Sequence, residues 1–133
     1  MQAILFGRVA SFKPIKDVGV TLPMTTIDLQ VQRQQLKGPF LIKLDTHGFE
    51  VPILRGAQAT LLQTEVLILE CYNFKVCPER LVFYEVCSFV ERYGFRCIDL
   101  FDVGYRPYDN ALWQTDTMFV RTERPEFEYE RFR

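Results

Sequence analysis

Two short apolar runs, Phe40-Leu41-Ile42-Lys43-Leu44 and Val66-Leu67-Ile68-Leu69, each lead into a stretch of helical periodicity, and this alternation limits the fold more than any other feature of the chain. Short, mostly apolar runs of this kind are the pattern of strands covered on both faces in a parallel sheet. After the first, Pro52 suits an opening helical turn, where a missing N–H costs nothing, and Ile53, Leu54, Ala57 and Leu61 share one helical face. After the second, Pro78 opens a longer pattern in which Leu81, Val82, Val86, Phe89, Val90 and Tyr93 share a face before Gly94. A β-α-β-α order requires crossover connections, and right-handed crossovers return each strand beside an earlier one. The expectation is a mostly parallel sheet with helices on its faces.

The flanking segments extend that order. Val18, Val20, Leu22 and Met24 alternate with smaller or polar residues as in an edge strand, and Thr25 followed by Asp28 has the form of a helix start for residues 26 to 36. Phe95 to Phe101 and Trp113 to Arg121 read as two further strands, joined by a long hairpin connection containing Gly104, Pro107 and Asp109-Asn110. Strands 40 to 45, 66 to 71 and 95 to 101 are therefore expected to be parallel, with 114 to 121 antiparallel between the second and third of them. Residues 1 to 121 form one domain in this reading, and 122 to 133 a charged tail with Phe127, Tyr129 and Phe132 as aromatic anchors.

Charge and composition remove several classes of function. With 16 Lys+Arg against 17 Asp+Glu, the net charge of -1 offers no broad attraction to nucleic acid or anionic membranes. Apolar runs such as Ala3 to Phe6 are too short for a membrane span or a signal-peptide core, so a cytoplasmic setting is expected. Cys71, Cys77, Cys87 and Cys97 lack the close pairing of a zinc site, there is one histidine, and the thiols read as free. No bound metal is expected. The seven glycines never cluster, so both common phosphate-cradling loops are absent, as are the G-x-S-x-G elbow and the H-E-x-x-H helix.

Open α/β sheets bind ligands beyond the carboxyl ends of their strands. That rule nominates Asp45-Thr46-His47, Glu70-Cys71-Tyr72-Asn73 and Asp102 as one rim.

The segment Lys43-Leu44-Asp45-Thr46-His47-Gly48-Phe49-Glu50, followed by Leu54-Arg55-Gly56-Ala57, resembles the K-x-D-x-x-G-x-E and L-x-G-A signature of the FkbM-type methyltransferases. Thr25 to Asp28, Val66 to Glu70, Gly94-Phe95 and Gln114 to Val120 fit the same pattern, so the resemblance spans residues 18 to 121. It implies an α/β fold equivalent to the C-terminal half of a Rossmann-like class I methyltransferase sheet, parallel with an antiparallel last strand. The cofactor it implies is S-adenosylmethionine, and the acceptor a small molecule such as a sugar or secondary-metabolite hydroxyl. The glycine-rich cofactor loop and the ribose-binding acid of that class are missing, so the chain reads as a truncated domain that by itself binds the cofactor weakly or not at all. The alternative is a non-catalytic half-domain used for binding or dimerisation.

Under this resemblance His47, the one imidazole, is the candidate base for an acceptor hydroxyl, and Asp45 either orients that ring or holds the methionine end of the cofactor. Glu70, Tyr72 and Asn73 are the acceptor-binding candidates. Glu70 and Asn73 could instead join Asp45 around magnesium, though a third carboxylate is lacking. Tyr72 and Trp113 are candidates for stacking on a ring, and Glu50 equally suits a helix-start charge. Finally, strand 40 to 45 would present an open edge. Ala3 to Phe6 is apolar enough to pack there, but a full replacement strand is not expected, which leaves self-association through that edge as the prediction.

Overall fold

The structure, a computed structural model, describes residues 2–6, 24–75 and 80–133. Its strands are β1 (Gln2–Phe6), β2 (Phe40–Leu44), β3 (Thr64–Tyr72), β4 (Phe95–Tyr105) and β5 (Leu112–Arg121). Its helices are α1 (Ile27–Arg33), α2 (Glu50–Arg55), α3 (Gln58–Leu61) and α4 (Phe83–Glu91). One sheet runs in the order β1-β2-β3-β5-β4, with β1, β2 and β3 parallel and β5 antiparallel to both its neighbours. The hairpin from β4 inserts β5 beside β3, as the short final connection requires.

Three expectations change. Gln2 to Phe6 pair along the whole of β2, from Gln2↔Phe40 to Phe6↔Leu44, so the edge assigned to self-association is already filled. The open edges, among the described residues, are those of β1 and β4, and any association through an exposed strand moves to one of them. Secondly, β2 is not covered equally on both sides. Phe40, Ile42 and Leu44 are fully buried while Leu41 and Lys43 are half-buried, the two-residue alternation of a strand with one core face. The register places Ile42, Leu44, Leu67, Leu69, Cys71 and Phe119 on one side, where Ile27, Leu54, Leu61, Val86, Phe89 and Val90 from the helices complete a single core. Lys43, Glu70, Tyr72 and Asp116 point to the other side. Lys43 ends there in an ion pair with Asp116, 2.5 Å apart. Thirdly, the connection between β4 and β5 is only residues 106 to 111, because β4 continues to Tyr105 through irregular pairing.

Local chemistry explains the helix boundaries. Thr26, not Thr25, caps α1 by accepting from the Leu29 N–H at 3.2 Å. Asp28 turns away from its own helix and caps α3, accepting from the N–H groups of Ala59 (3.0 Å) and Thr60 (2.8 Å) and from the Thr60 hydroxyl (2.6 Å). The helix expected from Pro52 to Leu61 is broken at Gly56-Ala57, where a Cβ on Gly56 would lie 3.0 Å from the Thr26 side chain. In α4 the Glu85 carboxylate accepts from the Val82 N–H at 2.9 Å. Of the three tail aromatics, Phe127 lies under the Arg96 guanidinium, whereas Tyr129 and Phe132 are exposed. Val18 to Pro23, Cys77 and Pro78 lie outside the described residues. Among the described residues no helix is long and apolar enough to cross a membrane.

Candidate functional site

The carboxyl ends of β2 and β3 bring Asp45, His47, Glu70 and Tyr72 together. His47 Nδ1 lies 2.8 Å from Glu70 Oε2 and 2.8 Å from the Tyr72 hydroxyl, but 4.0 Å from Asp45 Oδ1. The partner orienting the ring is therefore Glu70, not Asp45. Nδ1–H donates to the Glu70 carboxylate, Tyr72 O–H donates to the same carboxylate, and Nε2 is left as the ring's acceptor. Burial holds the Glu70 carboxyl above its ordinary pKa, against the opposing bonds from Tyr72 and His47. Burial, helped by the charge on Glu70, likewise raises the Tyr72 phenol, which stays protonated as a donor.

The loop that presents His47 is tightly braced. His47 and Gly48 both have positive φ, 53° and 105°. For His47 that is an uncommon left-handed conformation that its surroundings must stabilise. Glu50, itself only 6% exposed, does so: its Oε1 accepts from Thr46 N (3.1 Å), Thr46 Oγ1 (2.9 Å) and Gly48 N (3.0 Å). The carboxylate that reads as a helix-start charge is thus a loop brace. Above Gly48 sits Arg80. An added Cβ at Gly48 would fall 1.6 Å from Arg80 Nε and displace the guanidinium, and the φ of 105° itself favours glycine. The guanidinium also covers the Tyr72 ring, 5.0 Å from its centre.

Next to the cluster runs an aromatic series, Tyr72 edge-on to Trp113 and Trp113 stacked on Phe74 with centroids 5.5 Å apart. Arg106 covers Phe74 and is neutralised by Asp109. Trp113 thus packs on aromatic neighbours. Asn73 is not drawn in: it is exposed, and its recorded bond is from its backbone N–H to Trp113 O. Asp102 is an exposed β4 residue with a φ of 49° and no hydrogen bond into the cluster.

Two buried polar atoms at this rim have no hydrogen-bond partner, Asp45 Oδ1 and Arg80 Nε. Asp45, His47 and Glu70 could also offer one ligand atom each to a cation, all within 4.8 Å of one another. Two concavities lie elsewhere. One of about 950 Å³ runs between α1 and α3, and one of about 580 Å³ lies between α4 and β4, both toward the amino ends of the strands. Neither contains the polar cluster. Arg80 escaped the sequence reading because it lies 32 positions from Gly48, with no local pattern to connect them.

A mixed α/β sheet with polar groups converging beyond its parallel strand ends is an architecture shared by many α/β enzyme domains. The chain belongs to the FkbM methyltransferase family: residues 7–97, about two thirds of its length, match the Methyltransferase FkbM domain. That match ends within β4, before the antiparallel β5. No curated protein and no solved structure matches the chain.

Proposed function

We propose that this protein transfers a methyl group from S-adenosylmethionine to the hydroxyl of a small-molecule acceptor such as a sugar or secondary metabolite. The reading is carried by the His47–Glu70 pair: a ring nitrogen held at 2.8 Å by a buried carboxylate, with the other nitrogen free to take a proton. Asp45 fits the cofactor, because an unpartnered buried carboxylate oxygen suits the cationic methionine end of a sulfonium compound. When bound, S-adenosylmethionine supplies an electrophilic methyl group. His47 Nε2 would accept the proton of the acceptor's hydroxyl. Glu70, fixed by Tyr72, holds the imidazole in the tautomer that leaves Nε2 unprotonated and steadies the imidazolium that results.

The order β2-β3-β5-β4, with β5 antiparallel, supports assigning these strands to the fourth, fifth, seventh and sixth positions of a class I methyltransferase sheet. The free thiols of Cys71, Cys87 and Cys97 favour a reducing, cytoplasmic setting. The test is methyl transfer by the full chain to a panel of hydroxyl compounds, read as a mass gain on the acceptor. His47→Gln is expected to lower kcat by about 100-fold or more with the melting temperature retained. Asp45→Asn is expected to weaken cofactor binding and turnover together. Full turnover by His47→Gln would refute the proton-accepting role.

A further inference from the structure

We infer that Arg80 is the anion-recognising residue of this rim, and that the small molecule bound beside His47 carries a carboxylate. The inference rests on the methyltransferase reading only for the role of His47. Arg80 is the cation nearest the His47–Glu70 pair that lacks a carboxylate partner among the described residues. Lys43 is paired with Asp116, Lys75 with Glu85 and Arg106 with Asp109. Its placement is fixed from two sides, by the Tyr72 ring and by the bare Cα of Gly48. A guanidinium immobilised in this way has already lost much of the side-chain entropy that ligand binding would otherwise cost.

The buried Nε without an acceptor carries the argument further. Leaving a donor of a charged group unpaired is unfavourable unless something completes its environment, and the Thr46 and Gly48 donors of this loop are already bonded to Glu50. Asp45 Oδ1 is an unpaired acceptor bordering the same loop. The two orphans are complementary. A ligand with a hydroxyl or ammonium donor for Asp45 and a carboxylate for Arg80 would satisfy both, whereas a neutral polyol would leave the guanidinium unanswered. The carboxylate of Glu70 does not oppose this, because its charge is engaged by His47 and Tyr72. Two sources share the chemistry: a hydroxy-acid acceptor, and the α-carboxylate of the cofactor's methionine end.

The Nε–H resonance of Arg80 in ¹⁵N-labelled full-length chain gives a readout independent of turnover. D-glucuronate, D-glucose and S-adenosylhomocysteine are titrated separately, with Arg80→Gln and Arg80→Lys alongside. A shift with glucuronate and not with glucose assigns Arg80 to the acceptor carboxylate, and a shift with S-adenosylhomocysteine alone assigns it to the cofactor. In either case Arg80→Gln is expected to weaken binding of the active probe about tenfold or more, with Arg80→Lys between the two. No shift with either carboxylate, or an equal shift with glucose, overturns the inference. Such a failure leaves the methyl-transfer assay of His47→Gln unaffected, so the two readings fail separately. If Arg80→Gln does not fold, the wild-type titration decides alone.

Discussion

Glu50→Ala should be the most damaging single change in the signature loop, through stability and not through chemistry. One oxygen of Glu50 receives three donors, two from the buried Thr46 and one from Gly48. A hydrogen bond to an ionised group contributes about 1.5 to 3 kcal/mol. The sum is an upper bound, because two lone pairs serve three donors and the freed loop can turn partly to water. About 3 kcal/mol is the expected loss, equivalent to roughly 10 °C in Tm for a chain of this size. Glu50→Gln keeps an acceptor at the same position and loses only the charge-assisted part, about 1 kcal/mol. Urea denaturation of both variants supplies the numbers, and amide exchange supplies the location: Thr46 and Gly48 should exchange faster while Leu67 and Leu69 are little changed. A loss below about 1 kcal/mol for Glu50→Ala, or equal losses for Ala and Gln, would refute the bracing argument.

Lys43→Met should cost about 1 to 2 kcal/mol by urea denaturation, because Asp116 is left mostly buried and unpaired, and adding Asp116→Leu should recover much of that loss. At Asp28, burial acts upward on the carboxyl, but the Thr60 hydroxyl and the amides of Ala59 and Thr60 together hold it below its ordinary 3.8. The unfolded chain then binds the extra proton first, so this contribution is present above pH 3.8 and lost as pH falls toward the folded value; Asp28→Asn should flatten that part of the stability profile. Glu70 has the opposite sign. Burial raises its pKa above 4.5, the folded chain holds the proton longer, and stability falls as pH rises through that window; Glu70→Gln should remove the decline in a pH series of thermal melts.

The parts of the fold visible in the sequence are those set by short-range pattern. The apolar runs at Phe40 and Val66 and the face of Val86, Phe89 and Val90 lie where periodicity puts them, although α4 begins at Phe83 and residues 80 to 82 are not helical, and the short last connection correctly implies an antiparallel β5. What escapes is set by contacts between distant segments. Nothing local in Gln2 to Phe6 announces a strand that pairs with residues 38 positions away. The break at Gly56 follows from the approach of Thr26, and Asp28 caps α3 because the tertiary fold places α1 across it. The rim shows the same division. Strand ends bring Asp45, His47, Glu70 and Tyr72 together as expected, while the choice of Glu70 over Asp45 as the ring's partner depends on the left-handed turn at His47.

That turn gives physical content to the K-x-D-x-x-G-x-E pattern. Lys43 is committed to Asp116, Gly48 makes room for Arg80, and Glu50 ties Thr46 and Gly48 together. Three of the four defined positions therefore hold the loop in shape. The fourth, Asp45, has a buried oxygen with no hydrogen-bond partner, although the nearby donors of Thr46 and Gly48 are taken by Glu50. Foldability alone would favour bonding that oxygen or replacing it, since an unpaired buried acceptor costs about 1 to 3 kcal/mol. A loop that bonds the donors of Thr46 and Gly48 and leaves this acceptor unmet is not accounted for by its own stability alone. The structural residues of the pattern fix where Asp45 and His47 stand, with Glu70 behind the ring, and the proposed methyl transfer depends on that placement.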